Sequence, residues 1–222
     1  LAIFNYAHVP WIKPSQKTSE KRATLPTPET KLQLLKLVTE KLTGPGGYVY
    51  IGMDHFARPT DELAVAQRNK TLQRNFQGYS TRGGADIYGF GMSAISQTEN
   101  AYWQNLKELP AYYDAVNAGQ VPLARGYFVT DDDKIRRQTI MQLMCNLGLD
   151  YAAISQRVGV NVPEYFEAEI GSLNDMEADG LLRRSRTGIE ITNLGRLLIR
   201  NIAMRFDSNL PRESERRFSR TI

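Results

Sequence analysis

Cysteine occurs once and histidine twice in these 222 residues. A single thiol, Cys145, allows no internal disulfide and cannot by itself ligate a metal cluster. The two histidines, His8 and His55, would need at least one further ligand to hold a metal ion. No apolar run reaches the roughly 18 residues of a membrane helix, so a spanning segment is excluded on length. Residues 1–6 are apolar, but no basic segment precedes them, and His8, Pro10 and Lys13 follow too soon for a signal peptide. A cytoplasmic protein without membrane contact is the expectation.

Charge of one sign is also in short supply. Lys and Arg number 28 against 24 acidic residues, a net charge of +4. The excess gathers in Arg183, Arg184 and Arg186 and in Arg212, Arg216, Arg217 and Arg220, which permits a nucleic-acid partner without requiring one. What is present is apolar substance: 41% of the residues are hydrophobic, enough for a core.

Residues 1–7 (LAIFNYA) are short, apolar and followed by His and Pro, the pattern of a buried parallel strand. The polar stretch 13–24 reads as loop. Thr27, Pro28 and Glu29 open a helix as N-cap, first residue and first-turn acid, and Leu32, Leu35, Val38 and Leu42 give it one apolar side. Glycines 44, 46 and 47 with Pro45 stop it, and residues 48–52 (YVYIG) form the next strand. Strand, helix, strand is a βαβ unit, which predicts a parallel sheet with ligands at the carboxyl ends of its strands. Two strands cannot close a barrel, and the chain begins without Met on a strand, so further strands are expected upstream.

Farther on, residues 61–70 read as a helix and 75–86 as a glycine-bearing loop. Gly89 and Gly91 suggest close backbone packing in 87–96. Residues 100–118 read as helical, interrupted at Pro110. Thr130 caps a helix with three aspartates in its first turn. Helices over 151–158 and 163–178, a hairpin over 181–192 and a helix over 193–206 complete a winged-helix-like plan.

Six segments, in order along the chain, resemble the oxygen-independent coproporphyrinogen III oxidase family of radical S-adenosylmethionine enzymes. They are residues 4–10 (FNYAHVP), 51–59 (IGMDHFARP), 61–68 (DELAVAQR), 75–79 (NFQGY), 145–151 (CNLGLDY) and 195–201 (GRLLIRN). Residues 80–88, and Leu147 with Gly148, depart from the family's usual pattern. The resemblance implies an α/β fold: closing strands and helices of an incomplete parallel barrel in 1–95, a helical connection in 96–128, and a mostly helical C-terminal domain in 129–222. It implies that a CxxxCxxC loop holding a [4Fe–4S] cluster lies outside this chain, so that the chain alone is catalytically silent.

The activity so implied turns two propionates of coproporphyrinogen III into vinyl groups, in porphyrin and haem biosynthesis. It needs an electron donor and an acceptor, and two S-adenosylmethionine molecules, one cleaved reductively to a radical that takes a hydrogen from the propionate β-carbon. Matching motifs mark Ala7, Phe76, Gln77 and Ile95 as cofactor contacts. His55 and Arg58, at a strand end, are candidates to meet the substrate's carboxylates, with Arg74 and Arg82 behind them. Cys145 reads as a buried structural thiol.

Two other readings compete. In a nucleic-acid-binding module the third helix of the winged-helix-like domain would enter a groove, but Glu164, Glu167 and Glu169 stand where phosphates would require Lys or Arg. A haem-chaperoning relative with the same barrel would bind a tetrapyrrole without making vinyl groups.

Overall fold

The computed structural model describes residues 1–22 and 25–210. Thr24 and the arginines at 212, 216, 217 and 220 lie outside the described residues.

The first residues are not a buried parallel strand. Ala2 forms a single antiparallel bridge to His55, and Leu1, Phe4 and Tyr6 are exposed. The stretch read as loop carries a 3₁₀ turn over Pro14–Gln16 and a short helix, α1 (Lys17–Arg22), which Pro14 starts with its fixed φ. Helix α2 (Pro28–Thr43) begins where its signals place it: the Thr27 hydroxyl accepts from the Thr30 amide at 3.2 Å.

The expected βαβ unit gives way to a hairpin. β1 (Val49–Gly52) turns directly into β2 (His55–Ala57) and pairs with it antiparallel. Gly52 and Met53, at φ 153° and 52°, reverse the chain within two residues. The opening segment, expected to pair parallel with β1, instead meets β2 at one antiparallel bridge. Every strand pairing among the described residues is antiparallel.

Helix α3 (Glu62–Arg68), capped by Asp61, buries Ala64 and Ala66. The segment read as a loop from residue 75 is instead the turn and second strand of a hairpin, β3 (Gln73–Asn75) and β4 (Gly78–Ser80). β5 (Ile95–Gln97), β6 (Ala101–Asn105) and β7 (Leu123–Phe128) form a three-stranded sheet in that order, with α4 (Leu109–Asn117) between the last two. The helix expected from residue 100 is thus a strand up to 105. Tyr102 and Trp103 favour a pleated surface, and Gly126 lies opposite Trp103 in the register. Of the two glycines, Gly89 is in tight contact, since a Cβ there would sit 2.7 Å from the Ile95 carbonyl. Gly91, at φ 95°, has open space and serves its backbone conformation.

The last part follows its sequence signals closely. α5 (Asp131–Asn146) starts in a capping box between Thr130 and Asp133 and ends at Leu147 in the left-handed region. β8 (Gly148–Asp150) leads into α6 (Tyr151–Val158). The single helix expected over 163–178 is three short ones: α7 (Val162–Tyr165), α8 (Glu167–Gly171) and α9 (Asn174–Ala178). The breaks at Phe166 and Leu173 bury both side chains completely. β9 (Leu182–Arg184) and β10 (Gly188–Ile191) pair as expected, with β8 on the other side of β10. The terminal helix is split at Leu198 into α10 (Asn193–Leu197) and α11 (Ile199–Met204).

One hydrophobic cluster runs through these pieces, from Ile51, Leu72 and Tyr79 to Leu143, Phe166, Ile202 and Phe206. α5 lies at its centre, packed on β3, α6 and α11. The result is a mixed helix and strand fold in which two hairpins and a sheet are built around the first helix of the C-terminal part.

Candidate functional site

Phe76 and Gln77 form the turn of the β3–β4 hairpin, and both are exposed. The turn is held by the Asn75 side chain, which accepts from the Gln77 amide at 2.9 Å. Its next residue, Gly78, has φ 140°, and a Cβ built on it would meet the His55 ring nitrogen Nε2 at 3.2 Å. The His55 ring also lies edge-on to Tyr79, 5.5 Å between centroids, and its Nδ1 is 2.9 Å from the Asp54 carboxylate. His55 therefore backs the turn that presents Phe76 and Gln77, a contact the sequence reading did not foresee.

Phe76 opens onto a cavity of about 980 Å³ between the β3–β4 hairpin, the β5–β6–β7 sheet, α5 and α11. Gln97 lines the same cavity, and Ile95, two residues earlier, projects from the same face of β5. Of the four cofactor candidates Phe76 lines this space, while Gln77 follows it in the turn and Ile95 shares a strand face with Gln97. Ala7 does not join them: it lies in the exposed opening segment, its carbonyl accepting from Gln16 at 3.1 Å. Arg58 also faces elsewhere, with its guanidinium 4.2 Å over the Tyr48 ring and donating to the Gly46 carbonyl.

The arginines of the C-terminal part divide into those already neutralised and those that are not. Arg136 meets Asp132 and Glu169, both at 2.8 Å, and donates to the Phe206 carbonyl. Burial pulls its pKa down, but the hydrogen bonds to Glu169 and Asp132 outweigh that and hold it above its ordinary value. Arg184 of the supposed wing is no solvated side chain: it binds Glu177, the Ile170 carbonyl and Asn174. Glu169, expected to oppose a phosphate backbone, is spent on Arg136. Arg74, Arg137 and Arg200, by contrast, line the cavity and have no carboxylate partner among the described residues.

Further groups went unmarked in the sequence. Arg196 of α10 reaches into the first hairpin, donating to the Tyr50 carbonyl at 2.6 Å with its guanidinium over the Tyr50 ring. Its Nε is buried without a hydrogen-bond partner, and desolvation lowers its pKa. Burial pushes Tyr50 up to about 12 and raises Tyr79 further, so both phenols stay protonated. Tyr79 donates to the Met144 carbonyl. Only an arginine following a close-packed glycine hints at this link: a Cβ on Gly195 would collide with the Leu181 carbonyl. Cys145 is buried beside Met141, and burial pushes its thiol up to about 12.

Among the described residues no group of three or more His, Cys, Asp and Glu side chains is placed to hold a metal ion. No helix is long and apolar enough to cross a membrane.

Against known proteins, residues 129–198 match the family model described as the HemN C-terminal domain. The whole chain is 48% identical to an oxygen-independent coproporphyrinogen III oxidase of Thermostichus vulcanus, covering 68% of it. It is also 48% identical to the enzyme of that name from Escherichia coli, covering 48% of that relative. A solved structure of coproporphyrinogen III oxidase (HemN) from Escherichia coli, described as a radical SAM enzyme, superposes with a TM-score of 0.87. That match has 47% identity over 95% of this chain and 48% of the other. The chain thus spans from about half to two thirds of the length of these relatives, and with this identity along its full extent it belongs to the oxygen-independent coproporphyrinogen III oxidase family.

Proposed function

We propose that this chain forms the part of an oxygen-independent coproporphyrinogen III oxidase that flanks the cofactor and covers the substrate. The reaction is the radical oxidative decarboxylation of two propionates to vinyl groups. The observation that carries it is the 48% identity of the whole chain to enzymes of that name, with Phe76 on the lining of one large cavity.

The iron–sulfur cluster does not fit the residues present. A [4Fe–4S] centre needs several thiolates, whereas this chain has one cysteine, buried and held protonated. The cluster belongs to residues outside this sequence, and the chain alone is expected to be inactive. S-adenosylmethionine does fit at the turn. The Phe76 ring supplies an apolar surface, Gln77 an amide that both donates and accepts, and Ile95 a half-buried aliphatic wall. A molecule held there would be the second of the two, and the hydrogen-abstracting chemistry would come from the one bound at the cluster. The protein's share is to hold it, keep water away and orient the substrate.

His55 acts as a positioning residue behind the Phe76–Gln77 turn, and Asp54 fixes its ring. Ala7, exposed in the opening segment, is assigned to a separate contact with the cofactor, beside a barrel whose parallel strands lie outside this chain. Residues 1–95 then belong with the barrel, 96–128 connect, and 129–222 form a winged-helix-like cover. An electron donor and an acceptor complete the partners, and the cytoplasm is the expected compartment.

Anaerobic incubation with coproporphyrinogen III, S-adenosylmethionine and a reductant tests this reading. The 222-residue chain is expected to release no carbon dioxide, whereas the same chain joined to a cluster-bearing segment releases it in step with vinyl formation. Cluster-dependent cofactor cleavage by the chain alone, or no decarboxylation by the joined protein, would sink it. A nucleic-acid role is disfavoured because Arg184 and Glu169 are committed to internal pairs.

A further inference from the structure

The cavity beside Phe76 has three properties that restrict what it can hold. Its volume, about 980 Å³, lies at the upper end of the roughly 300–1,000 Å³ of small-molecule sites. Its floor is apolar and soft, formed by Ile140, Met141 and Met144 of α5 together with Ala203 and Met204. Its polar lining is biased to one sign: Arg74, Arg136, Arg137 and Arg200 against Asp133 and Asp207.

Among the described residues, only Arg136 of the four meets a carboxylate. Arg74 sits on β3, its guanidinium 5.3 Å above the buried Tyr79 ring and its backbone amide donating to the Met141 sulfur at 3.1 Å. Arg137, on α5, donates to the Tyr102 hydroxyl and the Glu99 carbonyl, both uncharged. Arg200, on α11, is exposed. α5 packs against both β3 and α11, so Arg74 and Arg200 stand on walls to either side of it.

A large apolar floor ringed by unpaired guanidinium groups suits a flat, greasy molecule with carboxylates at its periphery. Guanidinium pairs with carboxylate bidentately and holds it more specifically than an ammonium would.

We propose that this cavity is the substrate seat, and that Arg74, Arg137 and Arg200 receive the propionates of the porphyrinogen while its ring lies on the methionine-rich floor. This rests on the function proposed above and assigns the substrate contacts to residues that differ from the strand-end pair His55 and Arg58.

Fluorescence titration of the full chain with coproporphyrin III, the stable aromatised relative of the substrate, tests the assignment, with coproporphyrin tetramethyl ester as the uncharged probe. R74Q and R200Q are each expected to weaken coproporphyrin binding by roughly tenfold or more. The ester should bind poorly to every variant, and added salt should weaken only the acid. R157Q, which removes one exposed charge away from the cavity, leaves binding unchanged. If R74Q also lowers the unfolding midpoint, R200Q at its exposed position carries the test.

Equal affinity for acid and ester overturns the proposal, as does binding untouched by R74Q and R200Q, or loss with R58Q alone. Turnover by the cluster-bearing protein separates this from the reading beneath it. Unchanged KM in R74Q and R200Q together with normal decarboxylation removes the cavity and leaves the function. Arginine-dependent coproporphyrin binding without any decarboxylation supports the cavity and removes the function.

Discussion

Helices α2 and α5 have the same length, each begins at a threonine whose hydroxyl accepts a backbone amide, and each carries acid in its first turn. Their fates differ. α5 buries Thr139, Leu143, Met144 and Cys145 at the centre of the core, whereas α2 buries nothing, and Leu32, Leu34 and Leu37 remain open to solvent. Whether a segment becomes a helix is written locally, in caps and periodicity. What that helix does for stability depends on partners that the same periodicity does not name.

The sharpest way to break the comparison is to remove one leucine from each helix. Leu143→Ala, at a site with no exposure, is expected to cost about 2–5 kcal/mol in urea unfolding. Leu37→Ala in α2 should stay within about 0.5 kcal/mol of the parent. Equal losses would mean that α2 packs on something in solution.

Ion pairs give a second, smaller contrast. Arg136→Met on α5 strands Glu169 and the Phe206 carbonyl, and a loss of about 2 kcal/mol is expected from the same unfolding curves. Lys36→Ala, which removes the exposed Lys36–Glu40 pair of α2, should change stability by about 0.3 kcal/mol.

Capping is expected to separate the helices by range rather than by chemistry. Thr130→Ala should lower global stability by about 1 kcal/mol. Thr27→Ala should only quicken hydrogen exchange within α2, leaving the global midpoint in place. A shared midpoint shift would show that α2 unfolds with the core.

The smallest effect is in acid. Partial burial opposes ionisation of Asp133, but hydrogen bonds from the Thr130 hydroxyl and amide, Tyr127 and Asn209 hold its carboxyl down at about 2. A depressed folded-state value means that its contribution is complete above the unfolded carboxylate range and disappears as pH falls from about 4 toward 2. Asp133→Asn should flatten that limb of the stability profile, and an unchanged limb would remove Asp133 from the account.

Much of the C-terminal part was legible because its signals are short-range. The Thr130 capping box, the Asp150 cap of α6 and the turn at Gly188 all act within a few residues. The first hairpin was misread because Tyr48 to Gly52 has the same apolar pattern in a parallel or an antiparallel sheet, and the decision lies in the backbone at Gly52 and Met53. Aromatic residues 102 and 103 satisfied a helical reading until β7 supplied their partner strand.

At the candidate site, resemblance supplied Phe76, Gln77 and Ile95, and the fold sets Phe76 on the lining of the cavity. The roles proposed for Arg137 and Arg200 were hidden, and Arg74 stood only behind His55 and Arg58. An arginine's pairing depends on which acids the chain brings near it, as at Arg136, Arg184 and Arg205.

The missing side chain at Gly78 has a mechanical consequence. With no Cβ between them, the His55 ring edge of one hairpin rests directly on the backbone of the next. Close-packed contacts of this kind transmit displacement instead of absorbing it. A small rotation of β2 against α10, to which Arg196 ties its neighbour β1, is therefore passed on to the turn at Phe76 and Gln77. A side chain added at Gly78 would press on the His55 ring and on the first hairpin behind it.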